Sequence, residues 1–239
     1  VLGRVNAAPF RGRSVSRGLP RRASRIARQS SVALYRCRPD IPAGAECYIC
    51  MNQAAPGQLK GDLVRMCACR GPHAGFVHIR CLVKNAEERG EYDDEAYRDA
   101  LKTCSQCRQY FDGPVAVALK RAQWLHFAGC AETDLWYQNA LMNLGGALFN
   151  VDRLDEALMI QNDHTTMMRR MYGADDARTL SAEEAVAMTL RDKGGSENLH
   201  SAFQTLTRTY AWKIQNFGLE NKHTLDTALH LAVVQRRRG

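Results

Sequence analysis

The sequence predicts a small metal-stabilised α+β module followed by an all-α helical solenoid. Three observations predict it. Seven cysteines and one histidine form four short pairs between residues 47 and 107. From Pro114 onward the chain turns Ala/Leu/Met-rich and nearly free of proline, the composition of long helices. Within that stretch residues recur with a period of 45, the mark of stacked helical repeats.

The first segment, residues 1–40, belongs to neither part. Residues 1–39 hold ten arginines and no acidic residue. Taking those ten from the 33 basic residues leaves 23 against 25 acidic ones, so the formal net charge of +8 belongs to this tail. A basic nucleic-acid-binding face on the folded part is therefore not expected. Arg, Ser, Gly and Pro with scattered apolar residues cannot offset the entropy of ordering, which predicts a disordered tail. The same acid-free composition describes an organelle transit segment. Arg21-Arg22-Ala23-Ser24 resembles a basophilic kinase site. The chain opens on Val1, which points either to processing or to a fragment. No run of about 18 apolar residues occurs, so no membrane span is expected.

Residues 44–112 form the second segment. Cys47-x2-Cys50 is followed after 16 residues by Cys67-x-Cys69, after eight more by His78-x2-Cys81, and after 22 more by Cys104-x2-Cys107. A structural zinc site fills a tetrahedron with four Cys or His ligands, so four pairs make two sites. Paired spacings of this kind point to metal rather than disulfides, and hence to a reducing compartment. A cytoplasmic location is expected, with organelle targeting through the Arg-rich N-terminus as the alternative. His73, inside the gap before His78, is a rival ligand without the His-x2-Cys spacing. Cys37 and Cys130 fall outside the pattern. Cys130, amid apolar helix, reads as a small buried hydrophobe.

The order of ligands, the short Cys67-x-Cys69 pair and the surrounding residues Cys47-Tyr48-Ile49-Cys50, Cys67-Ala68-Cys69-Arg70-Gly71 and Phe76-Val77-His78-Ile79-Arg80-Cys81-Leu82 resemble the RING-CH finger. The resemblance covers a quarter of the chain. It implies a cross-brace in which Cys47, Cys50, His78 and Cys81 bind one zinc ion and Cys67, Cys69, Cys104 and Cys107 bind a second. It also implies ubiquitin-ligase activity without a covalent intermediate. Ile49 would then pack against a ubiquitin-conjugating enzyme, and Arg108 would bridge that enzyme and its ubiquitin. Two features depart from the family: eight residues rather than seven separate Cys69 from His78, and Asn85 stands where many relatives carry a tryptophan. The PHD finger shares the ligand order, but it has a longer second pair, a shorter gap before the histidine and a tryptophan where Lys102 stands.

Pro114 suits the first turn of a connecting helix over residues 114–129, which Gly129 could end. Residues 131–239 carry the repeats. Leu135, Leu180 and Leu225 share one phase of the period, Leu141, Val186 and Leu231 another. Met171-Tyr172-Gly173 matches Asn216-Phe217-Gly218, and Asp176 to Leu180 matches Asn221 to Leu225. Helices are expected over 133–149, 153–172, 178–192, 197–217 and 224–235, the last repeat being incomplete. Leu144-Gly145, Leu148 and Ala157 resemble the tetratricopeptide repeat in its kinesin-light-chain form, which implies a protein or peptide partner. Met159, Met167, Met168 and Met171 read as stacking core. The resemblances together imply a RING-CH ligase whose repeats choose the substrate, the alternative being a non-catalytic interaction scaffold.

Overall fold

The computed structural model describes residues 44–52, 63–65, 67, 69, 75–89 and 95–239. The Arg-rich tail, Cys37, the Arg21–Ser24 motif and His73 lie outside them.

Two antiparallel strands, β1 (Leu63–Arg65) and β2 (Phe76–His78), pair with Val64 opposite Val77. Helix α1 (Ile79–Glu87) continues directly from β2 and buries Ile79, Leu82 and Ala86, a spacing of three and four that puts one stripe inward. The short α2 (Glu95–Ala100) adds Tyr97 to the same core, which Leu63, Val64, Phe76, Val77 and Leu101 complete.

Helix α3 (Gly113–Phe127) has Pro114 in its first turn, where a missing N–H leaves no hydrogen bond unmade. Its two faces enter different cores. Val115 and Leu119 close the N-terminal core, while Val117, Trp124 and Phe127 belong to the core of the helices that follow. His126 of α3 also meets Glu87 of α1 at 3.5 Å.

Helices α4 (Leu135–Asn150), α5 (Leu154–Tyr172), α6 (Ala177–Lys193), α7 (Ser196–Phe217) and α8 (Lys222–Arg238) each pack on the next in chain order, as in a helical solenoid. Every end lies within three residues of the helices expected from sequence. The 45-residue period has a local cause at its turns. Helices α5 and α7 stop at Gly173 (φ 89°) and Gly218 (φ 85°), a conformation that disfavours any residue with a Cβ. Three residues on, Asp176 and Asn221 cap α6 and α8 by accepting from the Arg178 and His223 N–H groups, both at 2.9 Å. Three further on, Thr179 and Thr224 are fully buried.

Between paired helices, Ala157 and Ala202 are fully buried at matching places. Leu144, Thr189 and Val234, also 45 apart, are buried as well. Met167 and Met168 are core, with Met159 and Met171 packed against it. Leu135, Leu180 and Leu225 share a phase but not an environment: Leu180 is 1% exposed, Leu135 and Leu225 62% and 55%. Leu180 lies in α6, flanked by α5 and α7, whereas Leu135 opens α4 and Leu225 lies on α8, which has no helix after it among the described residues. Period alone therefore misstates burial at the ends of an array.

Candidate metal centre

The structure gathers the eight paired residues into two groups. Cys47, Cys50, His78 and Cys81 form one; Cys67, Cys69, Cys104 and Cys107 form the other. Within each group all four donor atoms lie within 4.8 Å of one another. The pairs are thus interleaved along the chain, first with third and second with fourth.

Local backbone builds this arrangement. Cys47–Met51 and Cys104–Arg108 are two copies of one turn. In each, the residue after the second cysteine is left-handed, Met51 at φ 58° and Arg108 at φ 60°. The N–H of that residue donates to the carbonyl of the first cysteine, at 2.8 Å for Met51 to Cys47 and 2.9 Å for Arg108 to Cys104. The N–H of the first cysteine donates onward, Cys47 to Asn52 at 3.1 Å and Cys104 to Gln109 at 2.8 Å. The chain is folded back so that both sulfurs face one point. The third pair uses a strand-to-helix junction: His78 ends β2, and Cys81 sits in the first turn of α1. Beside the second pair, Gly75 adopts φ 83°, the left-handed region that favours glycine, and packs against Cys67.

The spacings suit an ion. Cys50 Sγ and Cys81 Sγ lie 3.4 and 3.7 Å from His78 Nδ1, and Cys69 Sγ lies 3.9 Å from Cys104 Sγ. A tetrahedral ion with bonds of about 2.3 Å to sulfur and about 2.0 Å to nitrogen sets its ligands about 3.5–3.8 Å apart. A disulfide needs about 2.05 Å, and every described cysteine is free. Each group could therefore hold one metal ion, through three thiolates and an imidazole in the first and four thiolates in the second.

The thiols are tuned unevenly. Burial, with Cys50 and Cys47 alongside, pushes Cys81 up to about 12, and burial likewise drives Cys67 upward. Cys104 falls to about 7: burial opposes ionisation there, but the backbone N–H groups of Cys107 and Gln106 outweigh it. The His78 N–H also points at Cys47 Sγ at 3.4 Å. Sulfurs this crowded repel one another as anions, so a bound cation releases their protons and holds the groups together.

Tyr48, within the first turn, links the groups. Burial raises its phenol to about 12, and it lies beside Ser105 and near Cys104, Cys67 and Cys47. The sequence alone gives Tyr48 no role beyond its place in Cys47-Tyr48-Ile49-Cys50, where an aromatic between two cysteines is the available signal. Ile49 is half-buried and packs on the edge of the N-terminal core. Arg108 projects outward, 72% exposed, with its guanidinium on Asp99 at 3.0 Å. Asn85 accepts from Arg89 at 3.0 Å. Cys130 is half-buried against the solenoid core, and burial raises its thiol.

A two-centre Cys/His module joined to a run of consecutively packed helices is the class these observations define. Comparison with known proteins finds no family model, no curated protein and no solved structure that matches the chain. Among the described residues no helix is long and apolar enough to cross a membrane.

Proposed function

We propose that the N-terminal module is a zinc-held RING-CH finger that recruits a ubiquitin-conjugating enzyme, and that the helices are tetratricopeptide-type repeats that hold a protein or peptide partner. The observation that supports this most is the interleaving of the two donor groups, first pair with third and second with fourth. Cys47, Cys50, His78 and Cys81 hold one zinc ion, and Cys67, Cys69, Cys104 and Cys107 the other. Bound zinc supplies cross-links in place of a large core, each structural ion contributing about 10–16 kcal/mol of apparent folding free energy.

The chain supplies no nucleophile in this reading. Catalysis is positional: a loaded conjugating enzyme and the acceptor are held in attack-ready geometry. Ile49 packs against the enzyme from the edge of the first turn. Arg108 bridges enzyme and ubiquitin; its exposed pair with Asp99 is worth at most about 1 kcal/mol and does not prevent the exchange. The test is ubiquitin transfer by zinc-loaded full chain across a panel of conjugating enzymes, with Ile49→Ala alongside. Transfer that the substitution abolishes supports a ligase.

A second reading, a scaffold whose finger only folds, is favoured by Asn85 standing at the place of the family's tryptophan. Silence across the panel from protein holding two zinc ions would establish that reading instead.

A further inference from the structure

Away from the Cys/His groups, helices α5, α6 and α7 surround an open groove of about 350 Å³. Its floor is a carboxylate. Glu183 of α6 is 5% exposed and is gripped from both sides by the guanidiniums of Arg169 on α5 and Arg208 on α7. Both arginines are about half exposed, and among the described residues Glu183 is their one partner. A guanidinium carries five N–H donors, so most of those in the groove remain unspent.

Charge and donor count define the ligand. Two cations against one anion leave the groove with a net charge of +1. Thr165 is among the lining residues but is buried, 7% exposed, whereas Asn162 and Thr166 of the lining are exposed. Val186 is the one apolar residue of the lining, the others being polar or charged. A carboxylate, with two oxygens, would be saturated by the two guanidinium forks alone. A phosphate presents three acceptor oxygens and carries more negative charge, so it uses the forks together with the exposed Asn162 amide of the lining. The groove is open and spans two consecutive helix pairs, so a side chain displayed on a peptide can enter it.

We propose that this groove receives the phosphate monoester of a phosphorylated serine or threonine on a protein partner. Glu183 pre-orients the two guanidiniums, which then share the phosphate. The proposal rests on the reading that the helices hold a partner, and not on ligase activity of the finger.

The test is fluorescence polarisation of full-length protein with labelled degenerate phosphoserine and phosphothreonine peptides. Unphosphorylated peptides, Glu-substituted peptides and inorganic phosphate serve as competitors. Phosphopeptides are expected to bind at least about tenfold tighter than either peptide control, and Arg169→Gln or Arg208→Gln to lose about tenfold, the scale of one charge-assisted contact. Glu183→Gln keeps shape and one acceptor while removing a negative charge, so it is expected to tighten phosphopeptide binding. Circular dichroism establishes that each variant is folded. Equal affinity for phosphorylated and Glu-substituted peptides overturns the proposal. So does binding of inorganic phosphate alone, or no binding by folded wild type and Glu183→Gln. Because peptide binding is read directly, absent ubiquitin transfer leaves the result standing, whereas binding of unphosphorylated peptide alone keeps the partner-holding reading and removes this one.

Discussion

Gly145 and Gly146 are neighbours in α4, yet alanine at each should move stability in opposite directions. Both are helical, and replacing a helical glycine by alanine gains about 1 kcal/mol from propensity and the unfolded chain. At Gly146 nothing lies within 4 Å of the new Cβ, so the gain stands undiminished. At Gly145 the new Cβ would sit 3.0 Å from Gln161 Cγ and 3.6 Å from Ile160 Cγ2. Gln161 cannot easily retreat: its Oε1 accepts from Thr189 at 2.7 Å, and the residue is buried between α4 and α6. Overpacking of this sort costs about 1–3 kcal/mol, which leaves Gly145→Ala a net loss of about 1 kcal/mol. The variants should therefore differ by about 2 kcal/mol, or about 4–8 °C in the thermal midpoint of the helical signal. The double variant Gly145→Ala/Gln161→Ala removes the obstacle, and Thr189 keeps its bond to the Ala185 carbonyl. Relative to Gln161→Ala alone, it should gain about 1 kcal/mol. Equal stabilisation by Gly145→Ala and Gly146→Ala would refute the close approach of α4 and α5.

Two further outcomes are expected, the first on the zinc reading proposed above. Zinc analysis of purified protein should find two ions per chain, and Cys104→Ser should lose one; chelation should speed amide exchange in α3, whose Val115 and Leu119 lie in the N-terminal core, while α6 and α7 stay protected. Unchanged exchange in α3 on chelation would show that its two faces are energetically separate. Burial lowers His164 to about 4 from its ordinary 6.5, so between those values the unfolded chain takes a proton that the folded chain refuses. That contribution, about 3 kcal/mol, is complete above pH 6.5 and lost as pH falls to 4. His164→Gln should flatten the acid limb of the stability curve in that window, as urea titrations at several pH values would show. A variant curve parallel to wild type would place the acid sensitivity elsewhere.

What could be read beforehand divides along a physical line. Metal ligands must sit at short fixed spacings to reach one point, so Cys47 to Cys107 were legible as four pairs. Which pairs meet depended on a family resemblance, since spacing alone does not decide it. Helix limits were legible because glycine stops and Asx caps are local, as at Gly173 with Asp176 and Gly218 with Asn221. Burial within a shared phase was not, because Leu225 lies on α8, which has no helix after it among the described residues, and Leu135 is the first residue of α4. Nor was the Arg169–Glu183–Arg208 cluster, whose members sit 14 and 25 residues apart and meet through packing of three helices. The left-handed Met51 and Arg108 carried no glycine or asparagine to announce them. Each turn closes because the two backbone hydrogen bonds of its first cysteine offset a penalty of about 1–2 kcal/mol.

The shared helix α3 has a consequence for geometry. Two domains on a flexible tether sample many separations, and what one carries meets what the other carries at a concentration set by tether length. Here no tether intervenes: one helix is a wall of both cores, so the two halves turn together like a handle and its blade. A partner held on the helices, as proposed above, would stand at a fixed bearing and distance from the Cys/His module. Reach is then set by where on the array a partner sits, and inserting residues into α3 would not lengthen a leash but break a joint.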